Sequence, residues 1–229
     1  AQVRGTLVHA CLEDMHLWER SERTYPAVVK RLRPNWADMC GEDPSLLELV
    51  PEGEVYEFLV GCRSLLKGYF LMENPQGFDA LACEKFVDAV LPNGVPVRGF
   101  IDRVDVAPTG EVRVVDYKTG KKPLPRYSGQ AKFQMRFYAL VWWRTQGVIP
   151  HQLRLMYLKV ADSLYLAPSR EELEFFERDL GDLWGKILGD ISAGVFRAKT
   201  SKFVGGARIN GCAQCLGVLP HHSLGWSKA

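Results

Sequence analysis

Two acids and a lysine, Asp102, Asp116 and Lys118, occupy positions from which they could hold a cation beside a positive charge. They lie in RGFIDRVDVAPTGEVRVVDYKTGKKP, residues 98–123. Val97 to Ala107 and Glu111 to Lys118 are rich in β-branched and apolar residues, and Pro108-Thr109-Gly110 separates them. This pattern predicts a β-hairpin with a three-residue loop. Such loops commonly end in a residue with positive φ, which Gly110 adopts at low cost. Pairing Ala107 with Glu111 sets Asp102 opposite Asp116. Directly opposed residues have Cβ atoms about 4.5–5.5 Å apart, and like charges there repel unless a cation intervenes. Strand alternation puts Lys118 on the face of Asp116 and Tyr117 on the other. Acids, metal and lysine together could hydrolyse a phosphodiester. The competing reading is a solvated hairpin with scattered charges. Against it, Phe100-Ile101 precedes one acid and Val114-Val115 the other, as in a sheet covered on both faces.

The hairpin needs a frame. The pattern predicts a helix over 6–20 opened by Thr6, then several short helices between Ser21 and Pro51, broken at Pro26, Pro34 and Pro44. A longer apolar-periodic helix follows from Val55 to Leu71. Ala80 to Val90 reads as a strand, and Asn93-Gly94 as a tight turn into the next. Gly129 to Gln146 reads as a helix, Gln152 to Val160 as a strand, and Glu171 to Ala193 as an amphipathic helix. This order implies a mixed α/β domain around one central sheet.

Composition narrows the class. The chain has 229 residues, 47% hydrophobic and 24% charged, with a formal net charge of +2. One domain with a sizeable core fits that length. Near-neutral charge neither demands nor excludes nucleic acid, since a local basic patch can hide in the sum. No apolar run approaches transmembrane length, and the N-terminus does not read as a signal peptide. A cytoplasmic protein without membrane association is the expectation. The start at Ala1 suggests a piece of a longer protein. Of six cysteines, Cys11, Cys40, Cys62 and Cys83 are scattered singly in apolar contexts and read as reduced core thiols.

Four motifs carry a resemblance. They are GTLVH at 5–9, GFIDRVD at 99–105, VVDYKTGK at 114–121, and Gln134 with Tyr138 in QMRFYAL. In this order and spacing, over residues 1 to about 200, the chain resembles the RecB-like exonucleases of the PD-(D/E)XK nuclease superfamily. The resemblance implies a restriction-endonuclease-like α/β core, with a central mixed sheet flanked by helices, and a Mg²⁺- or Mn²⁺-dependent deoxyribonuclease. It makes His9, Asp102, Asp116 and the backbone carbonyl of Tyr117 metal ligands, and Lys118 a catalytic partner of Asp102 and Asp116. Glu84 resembles, more loosely, an acid near the metal; a surface glutamate is the alternative. His16 falls outside the motif and reads as surface or packing. Gln134 and Tyr138, four apart, share a helix face, which the resemblance sets against the active site and DNA. Lys121 and Lys122, with Lys132 and Arg136, could add phosphate contacts.

The tail departs from the family pattern. Many relatives hold an iron–sulfur cluster by one cysteine before the first helix and three near the C-terminus. Here Cys212 and Cys215 match two of those three, and His221 stands where a third cysteine belongs. An intact cluster is not expected. The expected organisation is an N-terminally truncated nuclease domain over 1–200 and a divergent tail over 201–229. The expected substrate is single-stranded DNA or DNA ends, in repair or end processing. No GxxxxGK[ST] phosphate loop is present, so any helicase motor belongs to another polypeptide. The rival readings are a catalytically degenerate DNA-binding module and a CRISPR-associated or RNA-directed nuclease.

Overall fold

A computed structural model describes residues 2–124 and 129–194. The chain divides into two units, Ala1–Lys186 and Ile187–Ala229. The first holds all the described strands; the described part of the second is the end of one helix. The expected tail, with Cys212, Cys215 and His221, lies outside the described residues.

Four helices come first: α1 (Gln2–His16), α2 (Tyr25–Glu42), the short α3 (Leu46–Leu49) and α4 (Val55–Met72). Then come β1 (Ala82–Val90), β2 (Pro96–Val106), β3 (Val112–Lys118), α5 (Gly129–Gln146), β4 (Gln152–Tyr157), β5 (Asp162–Leu166) and α6 (Arg170–Ala193). The sheet order is β1-β2-β3-β4-β5. Only β3 and β4 run parallel. A parallel pair needs a crossover, and α5 supplies it.

Two cores sandwich the sheet. Val112 and Val114 of β3 pack with Met135, Leu140 and Trp142 of α5 and Leu173 and Phe176 of α6. Val115 and Tyr117 pack instead with Leu7 and Cys11 of α1, Val28 of α2 and Leu66 and Tyr69 of α4. β3 is therefore apolar on both faces, as a covered central strand must be. Cys11, Cys40, Cys62 and Cys83 are free thiols, the first and third buried.

Three elements differ from expectation. α1 begins at Gln2, not Thr6; the Thr6 hydroxyl donates back to the Gln2 carbonyl at 3.4 Å instead of capping. The helix ends at His16. The expected series of short helices is mostly one, α2, with Pro26 in its first turn and Pro34 inside it. Pro34 cannot donate to the carbonyl of Lys30, but both residues are exposed, so water can satisfy that carbonyl while Val28, Leu32 and Trp36 hold the buried face. Finally, the strand expected to reach Val160 ends at Tyr157, and the chain turns back as β5. Ala161 takes φ of +48° there, in a turn without the glycine, proline or asparagine that would announce it.

Candidate active site

The hairpin has the expected register. Ala107 N–H donates to the Glu111 carbonyl at 2.9 Å, and Gly110 has φ of +96°. Arg103 pairs with Val115 and Val104 with Val114, so the next step sets Asp102 against Asp116. Across the other edge, Cys83 pairs with Arg103 and Lys85 with Ile101, which sets Glu84 against Asp102. Three acids thus form one row across β1, β2 and β3.

The row marks a break in the sheet. Ile101 and Val104 both enter the α5/α6 core, though three residues apart. Strict alternation forbids that. Arg103 between them points the other way, to the hydroxyls of Tyr69 and Tyr117. β2 therefore changes face at Asp102. Glu84 matches it on β1 with φ of +43°, a conformation uncommon outside glycine. Because both strands deform together, the register survives while the acids are re-aimed.

His9 reaches this row from α1. Its Nδ1 is 3.6 Å from Glu84 Oε1 and 3.6 Å from Asp102 Oδ2. Its Nε2 is 3.1 Å from the carbonyl oxygen of Tyr117. A carbonyl only accepts, so Nε2 carries a proton and donates it. In the neutral ring, Nδ1 then offers its lone pair between the two acids. The ligand atoms of His9, Glu84 and Asp102 all lie within 4.8 Å of one another. The Tyr117 N–H donates to Asp102 Oδ2 at 2.6 Å, so one residue holds both His9 and Asp102.

Asp116 is 2% exposed. Its Oδ2 faces a single cation among the described residues. Lys118 Nζ lies 2.7 Å from it, a charge-assisted pair. Lys118 Nζ donates to Gln134 Oε1 at 2.6 Å, and Gln134 Nε2 donates to the Tyr138 hydroxyl at 2.9 Å. The Gln134–Tyr138 face of α5 thus orients the lysine. Lys121 is exposed. Lys122 pairs with Asp162 of β5 at 2.5 Å.

The electrostatics are those of crowded, desolvated acids. Burial first, then the charge of Asp116, pushes the Asp102 carboxyl up to about 7, against the opposing pull of His9 and the Tyr117 N–H. Burial also raises Asp116, and Lys118 opposes it. For His9, burial favours the neutral ring, but Glu84, Asp102 and Asp116 together outweigh it and raise its pKa. Neighbouring carboxylates that resist ionising and an imidazole lone pair between Glu84 and Asp102 form a donor set that fits a divalent cation.

The sequence model of the PD-(D/E)XK nuclease superfamily matches residues 1–216. The chain belongs to that superfamily. No curated protein matches it. The mixed sheet flanked by helices is the restriction-endonuclease-like α/β core of PD-(D/E)XK nucleases, and nucleic acid is their substrate. No helix among the described residues is long and apolar enough to cross a membrane.

The motif reading passed over a buried charge network behind this PD-(D/E)XK hairpin. Arg103, fully buried, meets Glu73 from the end of α4, and Asp105 at 2.9 Å. Arg154 of β4 also meets Glu73, at 2.6 Å, and Arg113 meets Asp105 at 2.8 Å. Burial pushes the Glu73 carboxyl up, but Arg103 and Arg154 outweigh it and leave it below its ordinary value. His16 packs here too, its imidazole pushed down to about 3 by burial and by Arg103. A usable signal was present: Arg103, Asp105 and Arg154 interrupt otherwise apolar strands.

Proposed function

We propose that this chain is a RecB-like, Mg²⁺- or Mn²⁺-dependent deoxyribonuclease, acting as an exonuclease on DNA ends or single strands in repair or end processing. The observation that carries the reading is the row Glu84–Asp102–Asp116, with His9 Nδ1 aimed between two of its acids. The nuclease domain spans residues 1–200 and is followed by a divergent tail. Any helicase motor acts from another polypeptide.

His9, Asp102 and Asp116 would hold the metal, with Glu84 beside them. The Tyr117 carbonyl serves first to fix the His9 ring, since the imidazole N–H occupies it. A bound divalent cation lowers the pKa of water and neutralises charge developing on the phosphate. The chain's own groups do the positioning. Lys118, held by Gln134, presents a cation beside Asp116, where it can orient the attacking water or stabilise a phosphoryl oxygen. In hydrolysis a water oxygen bonds to phosphorus, the bond to one ester oxygen breaks, and that oxygen leaves with a proton.

The test is cleavage of end-labelled single- and double-stranded DNA, with RNA in parallel, over a Mg²⁺ and Mn²⁺ titration. Metal-dependent DNA cleavage with shortening from the ends, lost in Asp116→Ala, is expected. Folded wild-type protein that binds DNA but cuts in neither metal would make it a binding module instead. Preferential cutting of RNA would replace the deoxyribonuclease assignment.

A further inference from the structure

We infer that Arg103 is a positioning residue, acting through Tyr117 to set the metal affinity of a site it does not touch. The inference rests on the metal centre proposed above. Among the described residues, Tyr117 is the one whose backbone hydrogen-bonds both the His9 and the Asp102 side chains, by its carbonyl at 3.1 Å and its N–H at 2.6 Å. Its side chain lies in the core shared with α1 and α4, its ring edge-on to the His9 imidazole at 5.6 Å between centroids, and its hydroxyl accepts from Arg103 Nη1 at 2.8 Å. The Arg103 guanidinium also lies 5.6 Å from the centre of the Tyr117 ring. The phenol is thus gripped by a cation that has no freedom of its own. Glu73 and Asp105 occupy the guanidinium from two sides, and each is shared with a second arginine, Arg154 or Arg113. These partners come from α4, β2, β3 and β4, so the network ties four elements to the peptide that aims two ligands.

The direction of the effect follows. Groups that orient metal ligands without binding metal typically carry about 10–100-fold in affinity. Removing the Tyr117 hydroxyl leaves its ring and peptide in place but releases the hold on them, so the expected loss sits near the low end.

The same network contains its own control. Tyr69 also offers its hydroxyl to Arg103, at 3.3 Å, but its backbone lies in α4. Tyr69→Phe and Tyr117→Phe each remove one hydroxyl from Arg103; only the second loosens the peptide behind His9 and Asp102. The experiment is Mn²⁺ binding to full-length wild type, Tyr69→Phe and Tyr117→Phe, read by the electron paramagnetic resonance signal of free Mn²⁺. Urea unfolding is measured alongside. The expected result is about 10-fold weaker Mn²⁺ binding in Tyr117→Phe, near-wild-type binding in Tyr69→Phe, and cleavage by Tyr117→Phe recovering at high Mn²⁺. Equal Mn²⁺ affinity in wild type and Tyr117→Phe overturns the inference and leaves the metal centre standing. So does weakening in both variants in proportion to lost stability, which makes the network structural only. A folded wild type that binds no Mn²⁺ overturns the metal centre and this inference with it. Arg103→Lys, should it fold, gives the same comparison: it keeps the charge, loses the fork, and is expected to resemble Tyr117→Phe.

Discussion

Lys118 Nζ stands 2.7 Å from Asp116 Oδ2 and also donates to Gln134 Oε1 at 2.6 Å. The lysine is therefore aimed from α5 as well as by the acid it neutralises. Gln134→Leu removes that hold and leaves the Asp116 ion pair. A catalytic group displaced by about 1 Å can cost up to 100-fold, and here the ion pair limits the drift. The single-turnover cleavage rate at saturating protein should fall about 10-fold. An undiminished rate would show that Gln134 does not place the lysine.

Asp102 carries a stability signature. Its carboxyl sits at about 7 in the folded chain against 3.8 ordinarily, so the folded state binds this proton more tightly than the unfolded one. Stability contributed by the protonated acid is thus present below pH 4 and lost as pH rises through 7. The loss is on the order of a few kcal/mol. Asp102→Asn removes it. Metal-free Asp102→Asn should resist urea better than wild type at pH 8, with the difference shrinking toward pH 5, and should not cleave. A wild type at least as stable as the variant at pH 8 would contradict the crowded-acid picture.

Metal binding should release protons. His9 titrates above its ordinary value because three acids surround it and outweigh burial, and burial with the charge of Asp116 holds the Asp102 proton up to about pH 7. Both must be deprotonated to act as ligands. Mn²⁺ affinity should rise from pH 6 to pH 8, and calorimetric heats should change with the ionisation enthalpy of the buffer. Affinity independent of pH across this window would mean that neither group is a ligand.

Part of the site was legible because it is local. A three-residue loop ending in Gly110 determines the β2–β3 register, and that register puts Asp102 against Asp116. Gln134 and Tyr138 share a face by helical spacing alone. What was hidden depends on partners distant in sequence. The strand pattern assigns faces by alternation and cannot show the simultaneous twist at Glu84 and Asp102 that re-aims the acids. Glu73 follows α4 in the sequence, and only Arg103 and Arg154, reaching it from two strands, give it a role. Pro34 misled because propensity argues for a break while the buried face of α2 holds the helix together.

The strand end carrying Lys118 also depends on a glycine in α4. A Cβ on Gly68 would lie 1.8 Å from the Leu158 carbonyl oxygen, and the Leu158 N–H donates to the Lys118 carbonyl at 2.9 Å. Alanine in a helix is normally worth about 1 kcal/mol over glycine. Here the obstacle is backbone of the sheet and cannot swing aside, and overpacking of this kind costs about 1–3 kcal/mol or more. Gly68→Ala should therefore lose about 2 kcal/mol net, an order-of-magnitude figure, and lower the melting temperature by about 4–8 °C. Gly61, on the same helix, meets only the guanidinium of Arg4, at 2.9 Å, the far end of a flexible side chain. Gly61→Ala should be neutral or gain up to about 1 kcal/mol. Thermal unfolding of the two variants checks the pair. If Gly68→Ala melts with or above Gly61→Ala, the close approach of α4 to the residue after β4 does not constrain that strand end.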